Sequence, residues 1–207
     1  MITKDKIRRR FNNGINRFLS YNFGLSLYKS FPRHSTNHAL QYFDQDRPLT
    51  VIEIGTQDGQ NALSILKTLN IKKIYLIDPY EEYDEYSKLE EHQTQGRLSK
   101  VEKIAKHKLS KYDHKIVWIK KHSEDAIKDI KEKVDFIYID GNHDFDYVMK
   151  DLEKYYPFLK EDGIIAGHDI ISFGGVAEAV IKFAVKTGLQ PILTVTDFIF
   201  IKERLLK

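Results

Sequence analysis

The chain of 207 residues contains no cysteine. That excludes disulfides, thiolate zinc sites and cysteine nucleophiles together. It has no apolar run approaching the ~20 residues that a membrane-crossing helix needs. The amino terminus is basic but lacks the apolar core of a secretory signal. Internal repeats and low-complexity linkers are missing as well. The expectation from these absences is a cytoplasmic protein without a membrane span. Its length suits one domain with a modest extension, large enough to bury a core.

Positive charge is unevenly placed. Residues 1–40 carry eight Lys or Arg (Lys4, Lys6, Arg8, Arg9, Arg10, Arg17, Lys29 and Arg33) against Asp5 alone, a balance of +7. With +3 for the whole chain, residues 41–207 carry −4. We place a boundary near residue 45, dividing a basic, mainly helical N-terminal arm (1–45) from a folded domain (46–207). No base-stacking pattern is interleaved with the arm, so nucleic acid is not its expected partner. A solvated helix, or one that docks on a homodimer mate or a neighbouring domain, fits better. The chain could itself be one domain of a longer polypeptide.

The segment Val51-Ile52-Glu53-Ile54-Gly55-Thr56-Gln57-Asp58-Gly59-Gln60-Asn61 reads as strand, glycine turn and helix start. A second apolar run, Ile74-Tyr75-Leu76-Ile77, ends at Asp78. Strand, turn, helix, strand and acid hold an adenosine-type cofactor at the carboxyl ends of a parallel sheet. The spacing here is Glu-x-Gly-x-x-x-Gly, whereas dinucleotide sites use Gly-x-Gly-x-x-Gly. The difference favours a cofactor without a pyrophosphate, such as S-adenosylmethionine.

Apolar periodicity continues the alternation. Strands are expected over Leu49–Ile54, Lys73–Ile77, Lys115–Ile119, Asp135–Ile139 and Ile164–Ala166. Helices are expected over Gln60–Leu69, much of Glu81–Ser110 with a break at Gly96, Glu124–Lys131, Phe145–Leu159 and Val176–Lys186. A turn is expected at Lys160–Gly163. Ile192–Val195 and Phe198–Ile201 are too close for a helical crossover and should pair as an antiparallel hairpin. The fold class is therefore α/β: a doubly wound, Rossmann-like, mostly parallel sheet with a closing hairpin. Trp118, in mid-strand, is expected in the core.

Every strand of this scheme ends in groups able to bind or ionise. Ser123 and Glu124 follow the third, Asp140-Gly141-Asn142-His143-Asp144 the fourth, and Gly167-His168-Asp169 the fifth. Taken with the segment Leu159 to Asp169, these motifs resemble class I S-adenosylmethionine-dependent O-methyltransferases. The resemblance covers about Leu49 to Ile201. It is strongest to the catechol O-methyltransferase-like and the sugar- and macrolide-modifying groups. It implies that Glu53, Gly55, Thr56, Gln57, Asp58, Gly59 and Asn61 surround the methionine part of the cofactor. By the same likeness Asp78 takes the ribose hydroxyls, Ser123 and Glu124 lie beside the adenine, and Asp140 sits near the sulfonium.

His143 stands where catechol-type enzymes carry a catalytic lysine, and an imidazole titrates near working pH, so it is the candidate general base. Relatives bind a divalent metal, usually Mg²⁺, through positions that here are Asp140, His168 and Asp169. Histidine in that shell suits Mn²⁺ or Zn²⁺ better than Mg²⁺. Two arrangements stay open: a metal that clamps the acceptor hydroxyl, or a metal-free acid–base cluster of His143, His168 and Asp169. The expected acceptor is a sugar hydroxyl in a glycan or glycosylated metabolite, with a small phenol as the alternative. Tyr21, Phe23, Tyr28, Phe31 and the segment Ser172–Gly175 are candidate walls. More remote are a metallophosphoesterase-type hydrolase, suggested by Gly141-Asn142-His143-Asp144, and a non-catalytic cofactor-binding module.

Overall fold

The computed structural model describes residues 32–82 and 94–202. Tyr21, Phe23, Tyr28, Phe31 and residues 83–93 lie outside them. Seven strands form one sheet: β1 (Leu49–Ile54), β2 (Ile71–Ile77), β3 (Ile116–Ile119), β4 (Val134–Ile139), β5 (Leu159–Gly167), β6 (Ile192–Leu193) and β7 (Phe198–Ile201). Their order across the sheet is β3-β2-β1-β4-β5-β7-β6. The first five are parallel, and β7 runs antiparallel to both β5 and β6. The order reverses between β1 and β4, which opens a crevice at their carboxyl ends.

Among the described residues, six helices flank the sheet: α1 (His34–Tyr42), α2 (Gln60–Thr68), α3 (Gln95–Leu109), α4 (Ser123–Ala126), α5 (Phe145–Tyr155) and α6 (Gly174–Thr187). β1 and β4 are buried along their whole length, as their near-continuous apolar sequences require of central parallel strands. Alternate residues feed two cores. Ile52, Ile137 and Ile165 meet Val148, Leu152 and Phe183 of α5 and α6. Val51, Ile74 and Phe136 meet Ala39, Ile65 and Leu109 of α1, α2 and α3. Each fully buried Ile, Leu or Phe contributes about 1.5–3 kcal/mol. No helix among the described residues is long and apolar enough to cross a membrane.

The structure departs from the sequence pattern in five places. α5 ends at Tyr155, a 3₁₀ turn covers Tyr156–Phe158, and β5 begins at Leu159, before the expected turn. Asp162 absorbs the kink at φ 59°. Its amide donates to the Lys202 carbonyl at 2.8 Å, and Lys202 N–H donates to Gly163 O at 2.9 Å, so pairing carries the turn residues into the strand. Gly96 lies within the first turn of α3, which starts at Gln95, so among the described residues it interrupts no helix. The segment after β3 is shorter than expected, α4 giving way to a 3₁₀ turn at Ile127–Asp129. β6 keeps only two residues, and the hairpin link closes through Thr194 N–H to Asp197 O at 2.9 Å. Trp118 is only partly covered, because β3 is an edge strand.

Candidate active site

The glycine turn after β1 is forced by close packing. Gly55 has φ +86°, and a Cβ there would lie 2.0 Å from the main-chain oxygen of Asp140. Only glycine lets the ends of β1 and β4 come this close. Gly59, at φ +74°, is the N-cap of α2. Gln57, Tyr80 and Asp169 also adopt positive φ (47°, 50° and 62°), a conformation costly for side-chain-bearing residues and concentrated here around one cleft.

That cleft measures about 580 Å³ and opens across the carboxyl ends of β1, β2, β4 and β5. Of the residues expected at a cofactor, Gly55, Gln57, Asp78, Ser123, Glu124 and Asp140 border it. Asp78 is fixed by main-chain donors: Gln57 N–H reaches Oδ2 at 2.8 Å and Tyr80 N–H reaches Oδ1 at 2.8 Å. The Tyr80 hydroxyl donates to Gln57 O at 2.9 Å, tying the first two strand-end loops together. Burial raises the Asp78 pKa against those donors.

The other five expected residues do not border the cleft. Glu53 is buried at the end of β1 and accepts from Asn61 Nδ2 at 2.8 Å. Its Oε2 and the Asn61 Oδ1 are buried acceptors without a hydrogen-bond partner. Burial pushes the Glu53 carboxyl up to about 8, and the charges of Asp140 and Asp78 add to the rise. Thr56 is buried as well. Asp58 turns away to Lys108 Nζ at 2.8 Å and accepts from Gln60 N–H at 3.1 Å. The acids Asp78 and Asp140 at the cleft fit a cationic ligand that brings its own donors.

On the side away from Asp78, four expected residues come together. His143 Nε2 lies 3.2 Å from Asp169 Oδ2, and His168 Nδ1 lies 3.1 Å from the same oxygen. His168 Nδ1 is 3.8 Å from Asp140 Oδ1. These contacts hold the Asp169 carboxyl well below the usual carboxylate range, the bond from His143 counting most. Burial instead raises Asp140, against the nearby Arg33 charge. The His143 ring stacks on Phe173, centroids 4.1 Å apart and planes 13° apart.

Sequence reasoning misses two members of this site. Arg33 reaches over the cleft from the start of α1, bonding His168 Nε2 and lying 3.4 Å from Asp140 Oδ2. No motif marks it. Asp151 of α5 lines the opposite side, hydrogen-bonded by Ser123, and burial pushes its carboxyl up to about 7. Its signal is an acid on the inward face of an otherwise apolar helical stripe.

Among the described residues, the group whose ligand atoms converge within 4.8 Å is Asp140, His143 and Asp169. His143 thus takes the place expected for His168, whose Nε2 is turned to Arg33. Arg33 competes for one member of this set, its guanidinium lying 3.4 Å from Asp140 Oδ2.

A methyltransferase-domain family model matches residues 52–170, more than half of the chain. The chain belongs to this family. An uncharacterized protein of Acanthamoeba polyphaga mimivirus is 26% identical over 149 residues, 71% of this chain but 62% of the relative, less than two thirds of its length. Solved structures share the fold at low identity. An rRNA methylase from Streptococcus thermophilus has a TM-score of 0.58 at 15% identity, over 86% of this chain and 99% of its own. The O-methyltransferase NovP has 0.62 at 13%, over 82% and 80%. The cofactor-bound Rv0187 from MTB has 0.62 at 12%, over 99% and 100%. The chain thus carries a methyltransferase domain of this family, with a Rossmann-like fold.

Proposed function

We propose that this methyltransferase acts on oxygen, with His143 as general base and a sugar hydroxyl as acceptor. The observation that carries the reading is the His143–Asp169 pair at the cleft. S-adenosylmethionine, when bound, supplies a methyl group on a sulfonium centre. Asp78 accepts the ribose hydroxyls, and Ser123 and Glu124 border the adenine. Glu53 and Asn61, paired through Asn61 Nδ2 to Glu53 Oε1 at 2.8 Å, support the turn from behind the cleft. Gly55 and Gln57 bring main chain against the ligand, while Thr56, Asp58 and Gly59 shape the turn behind it.

His143 takes the proton of the acceptor hydroxyl. Asp169, held ionised, lies 3.2 Å from His143 Nε2 and orients the ring. Phe173 fixes the ring plane by stacking. Asp140, between the two halves of the cleft, aligns donor and acceptor for in-line displacement. An alkyl hydroxyl ionises less readily than a phenol and needs both a base and positive charge near its oxygen. His143 and Arg33 offer both, which favours a sugar over a small phenol.

The test is a thermal melt with S-adenosylhomocysteine in chelator, followed by a screen of sugar and phenol acceptors. Saturation at about 100 times Kd adds about 2.7 kcal/mol of stability. Methylation of phenols alone would replace the acceptor, and no ligand-induced shift would sink the site assignment.

A further inference from the structure

We infer that the Arg33 guanidinium, held by Asp140 and His168, is the resident cation of the Asp140–His168–Asp169 cluster and competes with any divalent ion for Asp140. The hydrogen-bond directions require a particular state of the cluster. A guanidinium has donors only, so the His168 Nε2 that meets Arg33 must be the acceptor nitrogen. The ring proton is then on Nδ1 and donates to Asp169 Oδ2 at 3.1 Å. His168 is a neutral relay between a fixed positive charge and the carboxylate that also faces His143. The lone pair on Nε2 and one oxygen of Asp140 are both engaged by Arg33, and a metal could take them only by displacing it.

The arginine is placed there by a built anchor. Two residues on, Ser35 donates to Asp197 Oδ2 through its main-chain N–H at 2.9 Å and its hydroxyl at 2.7 Å. Asp197 is fully buried in the β6–β7 link, where Thr196 Oγ1 donates to its other oxygen at 2.8 Å. The start of α1 is thereby pinned to the far end of the sheet, and Arg33 projects from the pinned turn into the cleft. Arginine keeps its charge at every working pH and spreads it over five donors. Donors not spent on His168 and Asp140 can meet the acceptor oxygen as it loses its proton to His143. This last role rests on the proposed methyl transfer to oxygen; the occupancy of the cation position does not.

The test measures Mn²⁺ binding by electron paramagnetic resonance on the full chain: wild type, Arg33→Ala, Arg33→Lys and Arg33→Ala with Asp140→Asn. S-adenosylhomocysteine binding by calorimetry in chelator runs alongside. Wild type and Arg33→Lys are expected to show no saturable Mn²⁺ binding at millimolar metal. Arg33→Ala should bind at least about tenfold more tightly, and Asp140→Asn should abolish that gain. Wild type binding Mn²⁺ as well as Arg33→Ala does would overturn the inference. So would the absence of binding in both, because the position would then not be a cation site. A cooperative thermal melt of each variant certifies that it is folded. Absence of S-adenosylhomocysteine binding in wild type would defeat the methyltransferase site assignment and leave the Mn²⁺ comparison to decide Arg33.

Discussion

His143 faces Asp169 across the cleft with Nε2 3.2 Å from Oδ2, although the two residues follow different strands. β4 and β5 are paired in parallel with Ile139 opposite Gly167, so their following loops emerge side by side. The sheet register therefore sets the distance between the base and the carboxylate that orients it. His143→Ala should lower methyl transfer by about 10²–10⁴-fold, the usual contribution of a general base. S-adenosylhomocysteine affinity should stay the same. Asp169→Asn should lower kcat with little change in KM. Steady-state kinetics on both variants decides this, and an unaltered kcat in His143→Ala would remove the base.

Glu53 makes stability depend on pH in a predictable direction. Its carboxyl titrates near 4.5 when exposed and at about 8 in the fold. Between these values the unfolded chain has released the proton and the folded chain still holds it. Stability then falls as pH rises through this window, and the full contribution is present only below the lower value. Asp151, raised from 3.8 to about 7, acts in the same sense over a slightly lower range. Urea unfolding at several pH values should show a decline that Glu53→Gln reduces in part and Glu53→Gln with Asp151→Asn reduces further. An unchanged slope in the double variant would mean that other groups set it.

Two glycines should respond oppositely to alanine. Gly55→Ala places a methyl 2.0 Å from the Asp140 carbonyl oxygen at φ +86°. Left-handed strain and backbone crowding together should cost about 2–5 kcal/mol. Gly96, in the first turn of α3, has none of the described residues within 4 Å of the place a methyl would take. There alanine should stabilise by about 0.5–1 kcal/mol through helix preference. Denaturant midpoints of the two variants are the check, and equal shifts would contradict the packing argument.

The alternation of elements is legible in the sequence because β1 and β4 are apolar throughout and the glycine turn directly follows the first of them. Asp140, His143, His168 and Asp169 can be read as one site because each follows a parallel strand. The kink at Asp162 escapes a sequence reading because its turn residues stay within the β5–β7 ladder. Trp118 escapes it because sequence does not show that β3 is the sheet's edge. Arg33 is invisible for a stronger reason. It meets Asp140 across 107 positions, and only the Ser35–Asp197 anchor brings it there.

Asp78 offers the sharpest test of the cofactor side. Its two oxygens hold Gln57 N–H and Tyr80 N–H, each keeps a further lone pair, and Asp78 borders the cleft. Hydrogen bonds to a charged group are worth about 1.5–3 kcal/mol. Asp78→Ala should therefore weaken S-adenosylhomocysteine binding by about 10–100-fold in calorimetry. Asp78→Asn keeps the shape and one acceptor oxygen, so its loss should be smaller. The loops anchored by Asp78 also loosen in Asp78→Ala, and the asparagine variant separates that effect from lost ribose contact. If both variants bind as wild type does, the ribose lies elsewhere and the proposed orientation of the cofactor across β1 and β2 is wrong.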